Sequence, residues 1–238
     1  MTSLRRATDP GYPALLKDLS GVLESARRAS ARAVNTLMTA TYWEIGRRVV
    51  EYEQQGAQRA EYGAELLAKL SADLTLHFGR GFSPDNLEAM RRFYRAFPGA
   101  RISETLPRKS RSPNSETPSR ISSMRALADA FPLPWSHYVL LLRKSRSREA
   151  LAFYHAEALR SGWSVRQLDR QIASQFYERT ALSRNKAAML ARGAEAKPSD
   201  TLTADEEVRD PLILEFLGLK DEYSENDLEE ALVHHLLI

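Results

Sequence analysis

The chain has 238 residues, 43% of them apolar, with 34 Lys and Arg against 31 Asp and Glu for a net charge of +3. That is enough apolar chain for one large domain or two small ones with a real core. The absence of cysteine excludes disulfides, thiolate metal sites and cysteine nucleophiles; no run of 18 apolar residues and no N-terminal signal pattern appears, so a soluble, cytoplasmic protein with no membrane partner is expected.

The charge is segregated along the chain. Residues 1 to 79 carry a net +1, residues 80 to 197 carry +12, and residues 198 to 238 carry −10. A basic middle suits a polyanion, and an acidic end suits a separate unit or an internal mimic of that polyanion. A merely solvated basic face fits the same numbers.

Taken in chain order, the pattern is helical almost throughout, which predicts an all-α fold. From Pro13 to about Gln55, Leu15, Leu19, Val22, Leu23, Ala26, Ala33, Leu37, Ile45 and Val49 mostly recur at three- or four-residue steps, weakened only by Gly21 and Gly46. A continuous helix of that length, roughly 60 Å at 1.5 Å per residue, exceeds a small core and is expected to pair with itself or another helix, a possible homodimer contact. A second helix is predicted from Gly63 to Phe78.

The string "GRGFSPDNLEAMRRFYRAFP" then supplies glycines for a tight turn, Ser83 as a cap and Pro84 for the first turn of a third helix. On that helix Leu87, Met90, Tyr94 and Phe97 form the apolar stripe, leaving Arg91, Arg92 and Arg95 opposite, with Arg80 in the turn and Asn86 near the N-terminus. This layout predicts a helix-turn-helix reader whose arginines contact DNA phosphates. Helical hairpins with no nucleic-acid role look the same.

Residues 98 to 123, with "GARISETLPRKSRSPNSETPSRISS", read as a flexible basic linker between a first unit at 13–97 and a second three-helix unit at 124–196. In the second unit Ser164 and Gln167 form an S-x-x-Q capping box, and Trp163 reads as structural. Val165, Leu168, Ile172 and Phe176 should face inward, leaving Arg166, Gln167, Arg170, Gln171 and Ser174 outward, where they suit phosphates or base edges or are simply a solvated surface.

Catalytic candidates are poor. His234 and His235 are adjacent and point about 100° apart on a helix, and His77, His137 and His155 have no acidic or nucleophilic companion at a recognised spacing. No phosphate loop, nucleophile elbow or metal-ligand cluster is present.

The strings "YWEIGRRVVEYEQQG", "AEYGAELLAKLSADLTLHFGRGFSPDNLEAMRRFYRAFP", "LPWSHYVLLL" and "GWSVRQLDRQIASQFYERTALSRNKAAML" closely resemble the N-terminal region of the YhcG-type nuclease family. That resemblance implies a helical, helix-turn-helix-containing (winged-helix-like) region joined to a C-terminal PD-(D/E)xK nuclease domain. It also implies that "RDPLILEFLGLKDEYSENDLEEAL", within 205–238, is the entry into that domain, with Glu229 matching a glutamate of its first core helix. The metal-binding aspartate and E-x-K lysine have no counterpart here. Such chemistry needs carboxylates converging on Mg²⁺ and a lysine near the water nucleophile, so Glu229 reads as a non-functional remnant and the chain as no enzyme by itself, with no cofactor of its own. The expected function is a DNA-binding module, the targeting half of such a nuclease; the alternative is a helical interaction or dimerisation module. Residues from about Lys197 onward are expected to be loosely held.

Overall fold

The computed structural model describes residues 11–56, 60–98 and 127–200, and among these the fold is all-α, with helices and no strand. The helices are α1 (Tyr12–Gly56), α2 (Ala60–Phe78), α3 (Pro84–Ala96), α4 (Trp135–Lys144), α5 (Arg148–Ser161), α6 (Val165–Ala173), α7 (Phe176–Leu182) and α8 (Lys186–Ala194). A helical turn at 127–130 precedes α4, and a 3₁₀ turn at Pro198–Asp200 follows α8. The linker expected at 98–123, apart from Pro98, and the nuclease-type start at 205–238 with Glu229 lie outside the described residues.

Side-chain oxygens cap several helices by accepting from orphan amides. Ser83 accepts from the Asn86 amide, Ser147 from Ala150, Ser164 from Gln167 and Asn185 from Ala188, at 3.3, 3.0, 3.1 and 3.0 Å. Helix α5 ends at Gly162 in the left-handed region, φ 61°.

α3 is the hub, packing on α1, α2 and α4, while α4 also meets α1, α5 and α6. Its buried residues are Leu87, Met90 and Phe93 rather than the predicted stripe alone; Tyr94 and Phe97 are only partly buried. Phe93 touches Tyr138, Phe131 and Trp135 with ring centroids 4.6, 4.9 and 5.3 Å apart, so one aromatic core joins the segments on either side of residues 99–126. The crossing of α1 over α3 depends on Gly46, where an added Cβ would lie 2.0 Å from the Met90 carbonyl oxygen. The glycine that interrupts the helical pattern is there for backbone approach.

The long first helix forms as expected, about 68 Å of it, but only its second half enters the core. Residues 11–29 are all exposed, and burial begins at Ala31. The apolar side chains Tyr12, Leu15, Leu16, Leu19, Val22 and Leu23 stand more than half exposed on this arm.

Two sequence expectations are corrected. Phe176 does not share a helix with Val165: the chain breaks at Gln175, held in the left-handed region at φ 53°, and α7 starts anew. Nor is the chain loose immediately after Lys197, because Asp200 is buried, accepts from the Lys197 amide at 2.8 Å and pairs with Arg170.

Candidate nucleic-acid interface

The turn between α2 and α3 takes the shape its glycines allow, with Gly79 at φ 82° and Gly81 at φ 101°. Asn86, predicted as a groove contact, instead points back into this turn and donates through Nδ2 to the Gly81 carbonyl. It holds the turn in shape.

The predicted arginines of α3 are not a row of solvated cations. Arg91 donates to Glu53 at 2.6 Å and pairs with Glu88 at 2.7 Å, and its side chain is only 19% exposed. Burial alone would lower its basicity, but the bonds to the two glutamates raise it, so the guanidinium is locked in its charged form. Arg95 reaches the same Glu53 at 3.1 Å and Arg92 reaches Glu88 at 3.0 Å; these two remain more than half exposed. The expectation that all three lie on the outer face therefore holds for Arg92 and Arg95, each with an ion-pair partner, and fails for Arg91. The cause is Glu53, on the α1 helix beside them and 13% exposed. With α1, α2 and α4 packed around it, α3 leaves Pro84, Asp85, Arg92 and Arg95 as the exposed positions of the helix, a narrower face than groove entry by a recognition helix uses.

α6 is likewise embedded. Gln167 and Gln171, expected outward, are each 3% exposed. Both donate through Nε2 to the Gly193 carbonyl at 3.1 Å, and Gln167 also reaches the Glu195 carbonyl at 3.3 Å. They satisfy the end of α8, which approaches closely because Gly193 lies flat against the Phe176 ring. The capping box is thus half formed, since the Gln167 side chain is committed elsewhere. Arg170 clasps Asp200 with two hydrogen bonds, at 3.2 and 2.5 Å, and this guanidinium holds the Asp200 carboxyl below the usual range. Arg166 stays on the exposed edge of α6, and Arg80 on the exposed α2–α3 turn. Trp163 is buried and structural, as its place before the cap suggested.

The sequence reading passed over the turn between α4 and α5, "RKSRSR", where Arg143, Lys144, Arg146 and Arg148 are all exposed. Charge density alone would have found it: four cations in six residues. Lys144 pairs with Asp169 at 2.5 Å, which brings this turn alongside the exposed edge of α6. Among the described residues, no group of three His, Asp or Glu side chains converges to hold a metal ion, so the Mg²⁺ implied for a complete nuclease finds no fit there. No helix among them is long and apolar enough to cross a membrane.

The family described as the DUF1016 N-terminal domain matches residues 18–179. The chain is also 49% identical over 244 residues to the Escherichia coli (strain K12) protein named "Putative nuclease YhcG", an alignment covering 100% of this chain and 64% of that protein. The chain therefore spans a little under two thirds of that relative's length. No solved structure matches it.

Proposed function

The chain belongs to the DUF1016 N-terminal domain family, and from that premise we propose that it is a DNA-binding helical module, the targeting half of a YhcG-type nuclease acting in the cytoplasm. The observation that carries this reading is the net +12 of residues 80 to 197, in a chain 49% identical to a protein named as a nuclease. A positive charge of that size attracts phosphate backbones by counterion release. Predicted DNA contacts that remain outward are Arg80, Arg92, Arg95 and Arg166. Cleavage is not assigned to the present residues. Incubation of the purified protein with duplex DNA and Mg²⁺ or Mn²⁺ is expected to give no products; reproducible cleavage lost in Glu229→Ala contradicts that. DNA binding itself is tested by fluorescence anisotropy with a labelled duplex at about 50 mM salt, where a flat titration defeats the reading.

A second reading, a self-association module, is favoured by the α1 arm. An isolated helical stretch of this length is marginal in water, yet residues 11–29 are all exposed and their apolar side chains repeat at three- and four-residue steps. Tyr12, Leu19 and Ala26 recur every seven residues, as do Leu15 with Val22 and Leu16 with Leu23. That repeat suits the same stripe on a second copy. The two readings are compatible, since paired arms double the basic surface offered to one duplex.

A further inference from the structure

Many arginines of the described helices are answered by carboxylates: Arg47 and Arg48 by Glu44, Arg91 and Arg95 by Glu53, Arg92 by Glu88, Arg160 by Glu157 and Arg170 by Asp200. A guanidinium already neutralised adds little to counterion release, and a mostly buried one such as Arg91 must abandon its partner to reach a phosphate. Other exposed cations, such as Arg184, Lys186 and Arg192, also lack an ion pair among the described residues, but the α4–α5 turn gathers four exposed cations within six residues. Arg143 and Arg146 there have no ion-pair partner among the described residues, Lys144 holds one exposed pair with Asp169, and Arg148 has the exposed Glu149 beside it.

Helix electrostatics account for half of this cluster and not the other half. Arg143 and Lys144 fall in the last turn of α4, where cations offset the negative end of the helix dipole. Arg146 and Arg148 flank Ser147, the N-cap of α5, and so stand at a positive helix end that disfavours cations. Glu149 is the stabilising residue there, its carboxyl held below the usual range by its own backbone amide and the Ser147 hydroxyl. The helix dipole gives no reason for Arg146 and Arg148 at this end, whereas an external polyanion does.

We propose that this turn, through Arg143, Lys144, Arg146 and Arg148, is the principal phosphate-contacting surface of the module, in place of the α3 and α6 faces. The Lys144–Asp169 pair sets the turn beside α6, where Arg166 lies one helical turn before Asp169 and extends the contact line. The contacts are to backbone phosphates of duplex DNA, so the surface supplies affinity and orientation rather than base choice. This inference rests on the DNA-binding reading above.

The test compares the whole wild-type chain with Arg143→Gln/Arg146→Gln and with Arg92→Gln, measuring duplex affinity from about 50 to 200 mM salt. Each lost phosphate contact flattens the log–log slope by roughly 0.9, so the turn variant is expected to lose about two units of slope and at least tenfold in affinity at the low-salt end. Arg92→Gln is expected to keep more of both. Because Arg146 opposes the α5 dipole while Arg143 offsets that of α4, the two losses should nearly cancel and the turn variant should melt close to wild type, which certifies its fold. A turn variant with the wild-type slope overturns this assignment while leaving the DNA reading intact. A wild-type chain that binds no duplex overturns both.

Discussion

The Arg91 guanidinium lies 2.6 Å from the Glu53 carboxylate and pins α3 to the late part of α1, two helices whose paired residues are 38 positions apart in sequence. Both side chains are mostly buried, so among the described residues Arg91→Ala leaves Glu53 only the outer ion pair from Arg95. A loss of about 2 kcal/mol in unfolding free energy is expected, within the cost of breaking a partly buried charge pair. Arg92→Ala, at an exposed pair, should stay within about 0.5 kcal/mol. Urea denaturation of both variants checks the contrast; equal, negligible effects would mean that Arg91 is solvated.

Gly46→Ala and Gly21→Ala should move stability in opposite directions. A Cβ at 46 meets the Met90 carbonyl oxygen at 2.0 Å and its carbon at 2.6 Å, both backbone, whereas a Cβ at 21 meets nothing within 4 Å. Forcing α1 from α3 is expected to cost about 2 kcal/mol despite the gain in helix propensity. Gly21→Ala gains up to about 1 kcal/mol from propensity alone. Thermal melts of the two single variants decide it.

Acid sensitivity should arise from His137. Its Nε2 donates to the Trp163 carbonyl at 2.8 Å, its Nδ1 is buried without a partner, and burial lowers its pKa despite that bond. His155 is lowered by burial too. A histidine whose pKa is lower folded than unfolded leaves the unfolded chain binding more protons, so stability is full above the unfolded pKa of about 6.5 and falls as pH drops below it. Each such group contributes up to about 1.4 kcal/mol per pH unit in that window. The urea midpoint should decline from pH 7 to 5, less steeply in His137→Gln; a pH-independent midpoint contradicts this.

For the α1 arm the expected outcome is a dimer that charge placed in its apolar stripe dissolves. Leu19→Asp/Leu23→Asp places carboxylates in the exposed apolar stripe, away from the core that begins at Ala31. Sedimentation should give a dimer mass for the wild type and a monomer mass for the variant, with the far-ultraviolet spectrum losing only a little helix. A wild type that stays monomeric at high concentration removes the pairing.

What could be read in the sequence was what is local. Ser83 before Pro84 and Ser164 before Gln167 announced helix starts because a cap and its amide lie three residues apart. Buried polar side chains could not be read that way. Gln167 and Gln171 fall on a polar face by periodicity, and only the distant Gly193 carbonyl makes that face interior. Glu53 and Asp200 escaped notice for the same reason, as the arginines they hold are 38 and 30 positions away. The arginines marked for DNA were thus found as residues, while their availability depended on partners that no helical wheel contains.

The central claim, that this is a DNA-binding module acting through exposed surface cations, is met most directly by one measurement: the dissociation constant of the full chain for a labelled duplex as a function of salt. With four or five phosphates contacted, the log–log slope is expected at about −4, and the affinity should weaken by roughly two orders of magnitude or more between about 50 and 200 mM. Absence of binding at the lower salt, or an affinity indifferent to salt, would contradict the claim and leave the paired α1 arm as the functional surface.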